Sequence, residues 1–363
     1  MKNLKLYLES LLDDEDELAN NDTGLIRDYI VKKYSHISKI KPSELNIRFV
    51  NNEHIVDYDG VILIKEDTTT LVEDMFKWGY VAMFDCRSTK ITSLEGAPME
   101  CTDFKCNHTN ITSLEGAPSI VAKNGYTGSF DCSYTNITNL EGAPKECWLV
   151  YCTDCPNLIS LKGAPQVCKY FYCAYCPKLK SLEGAPPECT QFDCSYCHSL
   201  RNLIGSPQVR DRFNCTGCNG LIDLTGATEK CVTFDCEKCK KLKSLKGAPR
   251  ECKKFYCMQC EQLESLEGAP QKCDKFFIKH CYNIKNLIGA PQKCKIFDCT
   301  ECSDLKSLEG APRACDRFSC RGCKSLESFN GMPDKINRIF DYTGCTKLTN
   351  LSLPHSIKGK IIL

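Results

Sequence analysis

The chain has 363 residues, a formal net charge of +1 and 30 cysteines. The near-neutral balance excludes a global electrostatic attraction to nucleic acid or to anionic membranes. No run of eighteen apolar residues is present, so the sequence predicts no transmembrane helix.

The first 80 residues are acidic and contain no repeat. They hold 16 acidic and 10 basic residues, a net charge of −6. Met1 to Leu12 lacks the apolar core and small-residue cleavage site of a signal peptide, and it predicts the start of an amphipathic helix. Apolar residues then recur at three- and four-residue steps from Leu25 to Ile30 and predict a second helix ending near Tyr34.

Short strands are predicted to follow these helices. They cover Leu45–Val50, Ile55–Tyr58 and Val61–Ile64, with a turn at the pair Asp59-Gly60 between the last two. Residues 1–80 therefore form a small non-repeat unit next to the repeats. Two interpretations stay open: an end cap that covers the apolar edge of the first repeat, and a separate docking or attachment domain.

From residue 81 the sequence repeats every 21 residues, and we call one repeat a coil. Numbered from an aromatic, the phases of one coil read Phe-x-Cys-x-x-Cys-x-x-Leu-x-x-Leu-x-Gly-Ala-Pro-x-x-Cys-x-x. Thirteen coils fill residues 81–351, and residues 352–363 are predicted to form a C-terminal cap. Phase one is occupied by Phe84, Phe104, Phe130, Val150, Phe171, Phe192, Phe213, Phe234, Phe255, Phe276, Phe297, Phe318 and Phe340.

Started at phase nineteen, the coil reads Cys-x-x-Phe-x-Cys-x-x-Cys-x-x-Leu, which resembles the leucine-rich-repeat pattern. The phrase Leu-Glu-Gly-Ala-Pro resembles a short, cysteine-containing subclass of 20–21 residues found in phage and large-virus proteins. The opening Leu-Tyr-Leu-Glu-Ser-Leu-Leu-Asp-Asp-Glu-Asp is also similar to that group. The resemblance implies a right-handed horseshoe solenoid with a parallel β-sheet on its concave face, after a small α+β N-terminal cap.

The return of each coil is short. Only six residues separate phases twelve and nineteen, so we expect extended or short 3₁₀ segments rather than α-helices. In the corner before the return, glycine permits positive φ and proline fixes the exit. One coil carries six extra residues within Ser119–Ser129, which we expect to form a loop on the return side. A second break adds one residue before Phe340.

All 30 cysteines fall on three phases: eleven on phase three, ten on phase six and nine on phase nineteen. Cys-x-x-Cys recurs eight times, and its spacing fits a zinc site. However, Ile278 and Tyr342 replace cysteine at phase three, and threonine replaces it at phase six in three coils. Such replacements favour a packed ladder of free thiols, with no metal or cofactor. Disulfides and metal binding remain as alternatives.

The strand phases between the buried ones, namely twenty, twenty-one, two, four and five, are predicted to face outward. Clustered exposed aromatics mark binding surfaces, although ring packing along the sheet would also explain them. The predicted partner-binding residues are Tyr134, Trp148, Tyr151, Tyr170, Tyr172, Tyr175 and Tyr196, with a second group of Tyr256 and Phe277. Phase two also carries an aspartate column: Asp85, Asp131, Asp193, Asp235, Asp298 and Asp341.

No catalytic constellation is visible. The six histidines show no metal-ligand spacing, and no phosphate-binding glycine loop is present. Basic residues gather between Lys240 and Lys254 without forming one stripe, so a solvated surface is favoured over a phosphate site. We therefore predict a non-enzymatic protein-interaction or structural scaffold, cytoplasmic or virion-associated. The alternatives are a metal- or redox-active thiol protein and a nucleic-acid binder.

Overall fold

The computed structural model describes residues 15–34, 40–73, 75–121, 128–348 and 357–362. The chain divides into two compact units. The first unit comprises Met1–Thr135 and Gly142–Trp148, and the second comprises Asn136–Glu141 and Leu149–Leu363. The first predicted helix lies outside the described residues.

The first unit begins with helix α1 (Glu15–Tyr34), which ends where the apolar spacing predicted. A 3₁₀ turn (Pro42–Glu44) precedes six strands, which are β1 (Leu45–Val50), β2 (Glu53–Leu63), β3 (Lys77–Asp85), β4 (Glu100–Lys105), β5 (Ile120–Val121) and β6 (Ser129–Asp131). Strands β1 and β2 form an antiparallel hairpin, and β2, β3 and β4 pair in parallel.

The predicted turn at Asp59-Gly60 is wrong. Strand β2 runs through this pair, and the chain reverses instead at Asn51 and Asn52, whose φ angles are 50° and 61°. Asp59-Gly60 lies where β2 gains one residue over β3, between the pairs Tyr58–Val81 and Val61–Met83. A β-bulge uses the same small and turn-forming residues as a hairpin turn, so local sequence does not separate the two.

A buried carboxylate joins helix α1 to the segment before the first coil. Glu73, with 4% of its side chain exposed, pairs with Lys33 Nζ at 2.7 Å and accepts hydrogen bonds from the hydroxyls of Tyr29 and Tyr34 at 3.0 and 2.6 Å. Burial, together with the negative charge of Glu73, raises the pKa of Tyr34, which keeps this hydroxyl protonated as a donor.

Removing this charge should loosen the helix. Glu73→Gln keeps the shape but loses the ion pair and one acceptor, so we expect about 2 kcal/mol less protection of α1. Hydrogen exchange of the α1 amides measures this directly. The exposed neighbour Asp28→Asn is the control, and equal protection in both variants would contradict the role of Glu73.

The second unit is built from strands of consecutive coils that pair in parallel, each with the next. They are β7 (Leu149–Tyr151), β8 (Tyr170–Tyr172), β9 (Glu188–Asp193), β10 (Gln208–Asn214), β11 (Lys230–Asp235), β12 (Glu251–Tyr256), β13 (Lys272–Phe277), β14 (Ile296–Asp298), β15 (Ala314–Ser319), β16 (Lys335–Asp341) and β17 (Lys360–Ile362). The extra residue before Phe340 lies in β16 as a register shift against β15.

The core is a column of phase-one side chains, all exposed by no more than 1%. Neighbouring rings stack in parallel, as in Phe213–Phe234 and Phe255–Phe276, whose centroids are 5.2 Å apart in each pair. Leucines of phases nine and twelve, such as Leu242 and Leu245, are also fully buried. The repeat therefore fixes which face of each strand enters the core, as strand alternation predicts.

The returns contain no helix among the described residues of the coils, as their length predicted. The corner glycines have φ between 78° and 97°. The architecture is a parallel β-solenoid, which is the fold class that the 21-residue period predicted.

The six-residue insertion lies in a strand and not on the return side as predicted. Strand β4 pairs first with β5, through Cys101–Val121, and then with β6, through Asp103–Ser129. One residue of β4 therefore faces seven residues between Val121 and Ser129, of which 122–127 lie outside the described residues. The insertion therefore falls between β5 and β6, which both pair with β4.

Candidate binding surface

Phase two builds the turn that ends each strand. Its aspartates accept a hydrogen bond from the phase-four backbone N–H, as in Asp193 with Ser195 at 2.8 Å and Asp298 with Thr300 at 3.1 Å. The same bond is made by Asp85, Asp131, Asp235 and Asp341. This side-chain-capped turn competes well with extended backbone. The aspartate column is therefore architectural, and four of its members are buried.

The turn places phase five in the left-handed region in all thirteen coils. The φ angle is 57° at Tyr175 and 58° at Tyr196. The other members are Ser88, His108, Tyr134, Asp154, Gly217, Lys238, Gln259, His280, Glu301, Gly322 and Gly344. Only three of them are glycine, although this conformation costs other residues about 1 kcal/mol or more. The sequence offered one signal for it, the recurrent phase-two aspartate.

Four coils place an aromatic residue at phase two. Tyr151 stacks on Tyr172 and Tyr256 stacks on Phe277, each with ring centroids 5.2 Å apart. An aromatic side chain cannot accept the turn hydrogen bond that aspartate accepts. These coils therefore exchange a turn-stabilising group for a ring on the outer face of the sheet.

A second row of rings lies at phase five. Tyr175 and Tyr196 stack with centroids 4.7 Å apart, and Tyr175 is 50% exposed. Because the rings stack along the solenoid, their edges and hydroxyls point outward. Tyr172 donates its hydroxyl to Gln191 at 3.1 Å, and Gln191 in turn donates to Asp211 at 2.9 Å. The rows thus have a polar border.

The predicted partner-binding residues fall into separate groups. Tyr151, Tyr170, Tyr172, Tyr175 and Tyr196 lie together on β7 to β9 and the turns after them, and we call them the tyrosine surface. Tyr256 and Phe277 form another pair on β12 and β13. Tyr134 and Trp148 belong to the first unit, where Tyr134 stacks on His108 at 4.2 Å.

The alternation of the strand predicted that phase four faces outward in every coil. This prediction is wrong in several coils. Ser133, Ala174 and Ser195 at this phase are 4%, 6% and 4% exposed. Phase four is buried both where an aspartate caps the turn, as before Ser133 and Ser195, and where Tyr172 stands at phase two, as before Ala174. Only small residues fit in these coils.

The cysteines are free thiols, and all except Cys231 are buried. Phase-six thiols donate to the carbonyl of a phase-three residue in the preceding coil, as in Cys218 to Cys194 O at 3.1 Å. In the coils with threonine, Thr135 instead donates to Cys132 O of its own coil at 2.7 Å. The thiol ladder therefore links neighbouring coils. Among the described residues, no group of three or more His, Cys, Asp or Glu could hold a metal ion.

Burial suppresses thiolate chemistry at most of the ladder, whereas hydrogen bonds from neighbouring thiols lower the pKa of Cys281 and Cys345. Burial raises the pKa of Cys194 and of the partly exposed Cys231 to about 12 each. A thiol with this pKa is almost wholly protonated at neutral pH and is a poor nucleophile and metal ligand. The thiols act as compact apolar groups that suit a narrow core.

The basic residues between Lys240 and Lys254 do not converge. Lys240 pairs with Glu261 at 3.2 Å, and nearby Glu251 is shared between Lys230 and Lys272 at 3.5 and 2.7 Å. These mixed charges do not present the dense positive stripe that a polyanion requires.

No protein-family model matches this chain, and no curated protein matches it. Among solved structures, the chain is similar to YopM from Yersinia enterocolitica WA-314, at 12% sequence identity, over 84% of this chain and 80% of that one, with a TM-score of 0.24. This likeness is too weak to support a conclusion about function. Separately, no helix among the described residues is both long and apolar enough to cross a membrane.

Proposed function

We propose that the protein is a non-enzymatic scaffold that binds a protein partner through the tyrosine surface. The observation that carries this proposal is the exchange at phase two. Tyr151 and Tyr172 stand where other coils place a turn-capping aspartate, so these coils forgo a hydrogen bond that contributes about 1 kcal/mol. Six other coils keep an aspartate at this phase and make that bond.

The physical character of the surface suits protein recognition. Tyrosine offers a large ring with few rotatable bonds and a hydroxyl that can donate or accept, and it is enriched at binding hot spots. Stacking in rows fixes the rings before binding, which lowers the entropic cost of association. Tyr134, Trp148, Tyr256 and Phe277 remain as further proposed contacts.

The alternatives find less support. A redox or metal role needs accessible thiolates, whereas burial raises the pKa of Cys189 and Cys315 to about 12 each. A nucleic-acid role needs positive charge in one stripe, whereas the basic residues between Lys240 and Lys254 occupy several phases of the coil. Free thiols also favour a reducing compartment. A cytoplasmic or virion-associated location, and the phage or viral origin that the repeat phrase suggests, remain parts of the proposal.

The triple change Tyr151→Ser, Tyr172→Ser and Tyr175→Ser should abolish binding while leaving the fold intact. Each hot-spot tyrosine contributes about 2 kcal/mol, so we expect at least about 100-fold weaker binding. Affinity for a partner isolated from the native source, measured by calorimetry, checks this. The control is Ile159→Ser with Ile222→Ser, which are 43% and 50% exposed on the return side. Unchanged affinity in the tyrosine variant would exclude the tyrosine surface.

A further inference from the structure

A groove in the second unit runs along five consecutive coils beside the turns that end the strands. Its inner wall is the phase-five column from Tyr196 to Gln259, and its outer wall is the phase-seven column from His198 to Tyr282. Its volume is about 390 Å³. At about 4.8 Å per coil the groove is about 20 Å long, which about six residues of extended chain would span.

The inner wall changes character at Gly217, where the ring of Tyr196 lies over the glycine. This residue has φ +70°, and a Cβ built on it would lie 2.6 Å from the ring of Tyr196. The stack of Tyr175 on Tyr196 ends here, because the next phase-five position has no side chain. Tyr196 thus forms the aromatic end of the groove, and a ligand ring can stack on the ring face that is turned toward Lys238, two coils further on.

The charge of the groove is uneven. On the outer wall, Lys240 Nζ pairs with Glu261 at 3.2 Å, so these two charges compensate each other. On the inner wall, Lys238 is exposed, and among the described residues no carboxylate lies within ion-pair distance of it. This ammonium group is therefore available to a ligand carboxylate.

The inner wall carries two long polar side chains at left-handed positions. Lys238 and Gln259 have φ of 57° and 58°, where glycine is free of strain and other residues lose about 1 kcal/mol or more. Gly217, Gly322 and Gly344 show that the turn accepts glycine at the same phase.

The amides complete the site. Asn219 Oδ1 accepts a hydrogen bond from Lys240 N at 3.2 Å, which fixes the amide and leaves its N–H donors for a ligand. Gln259 is exposed on the opposite wall and can both donate and accept. Amide groups on both walls suit the alternating donors and acceptors of a peptide main chain.

We propose that the groove binds an extended segment of a partner protein that carries an aromatic residue and an acidic residue two positions further on. Alternate side chains of an extended chain face the same side, so the ring contacts Tyr196 while the carboxylate pairs with Lys238. This deepens the proposed function, since it rests on a protein partner that binds the second unit.

The test uses the full chain and a fluorescein-labelled, blocked hexapeptide of sequence Ser-Trp-Thr-Asp-Thr-Ser. Fluorescence anisotropy at physiological salt should show saturable binding. Lys238→Glu should weaken binding at least about 10-fold, and a peptide with lysine in place of aspartate should recover affinity for this variant. Lys243→Glu, an equal charge reversal at an exposed return position, should change binding by less than about 2-fold.

Three outcomes would overturn the groove proposal: no saturable binding up to about 1 mM peptide, equal losses for Lys238→Glu and Lys243→Glu, or tighter binding of a single-stranded oligonucleotide than of the peptide. None of them depends on Tyr151, Tyr172 or Tyr175. Failure of the groove proposal thus leaves the tyrosine surface untouched. Intact peptide binding in the triple tyrosine variant would show that the groove, which shares only Tyr196 with the tyrosine surface, binds without Tyr151, Tyr172 and Tyr175.

Discussion

Raising the pH from about 8 to about 10 should remove most of the stability of the second unit, because folding holds many of its thiols protonated. In the unfolded chain a cysteine ionises near pKa 8.5. In the folded chain, burial raises the pKa of Cys189, Cys194, Cys231 and Cys315 to about 12 each. These thiols therefore stay protonated in the folded state at pH values where the unfolded state has released the protons.

The sign and size of the effect follow from this difference. The stability due to a raised pKa is fully present below the unfolded value of about 8.5 and is lost as the pH rises toward about 12. Each such thiol removes about 1.4 kcal/mol of unfolding free energy per pH unit in that window. Four thiols together remove about 5 to 6 kcal/mol per unit, which is comparable with the whole stability of many domains.

Urea unfolding followed by circular dichroism, with a reducing agent present, at pH values from about 7 to about 10 measures this loss. Tyrosine and lysine also titrate near the upper end, so a variant must isolate the thiols. Replacing the four cysteines by alanine should lower stability at pH 7 but flatten its pH dependence between pH 8.5 and 10. An equal slope in both proteins would show that other groups cause the alkaline loss.

Much of the fold followed from the period alone. The burial of phases one, three, six, nine and twelve could be predicted because a strand alternates and a solenoid repeats its environment in every coil. The thiol ladder could be predicted in the same way, since Ile278 and Tyr342 occupy a cysteine phase and are buried there. Thirteen copies of one pattern show which phases are buried even where the residues of a single copy are ambiguous. A strand or turn that occurs once offers no such comparison.

Features that occur once could not be predicted so well. Asp59-Gly60 fits a turn and a bulge equally well, and only its pairing with β3 separates them. Counting phases locates the insertion before Ser129 in the sequence, but it does not show which side of the coil contains the insertion. The groove lies where the row of phase-five tyrosines ends at Gly217. The role of this glycine can be recognised only from the structure, which shows that phase five is left-handed.

Gly247→Ala should be among the most damaging single changes in the solenoid. Gly247 is the corner glycine of its coil and has φ +84°, and a Cβ there would lie 2.5 Å from both Cα and N of Thr225 in the preceding coil. The contacted atoms are backbone. They are held in place because Leu224 N donates to Lys246 O at 2.8 Å, directly beside the corner.

Gly344→Ala is the matched control, because it introduces the same methyl group with less obstruction. Gly344 also has positive φ, at +78°, but the nearest atom to its Cβ would be Gly322 Cα at 3.8 Å. Ten other coils already carry a side chain at this phase. We therefore expect a loss of about 1 kcal/mol at Gly344, from backbone strain alone. At Gly247, strain and overpacking together should cost about 4 kcal/mol.

Urea unfolding of the two variants at neutral pH separates the two causes. If strain at positive φ were the whole reason for glycine at the corner, both changes would cost the same. A larger loss of unfolding free energy at Gly247 means that the corner requires glycine because the backbones of neighbouring coils approach closely there. Coil spacing would then be set at the corner as well as in the sheet, where neighbouring rings of the phase-one column and of the tyrosine surface stack with centroids 4.7 to 5.9 Å apart.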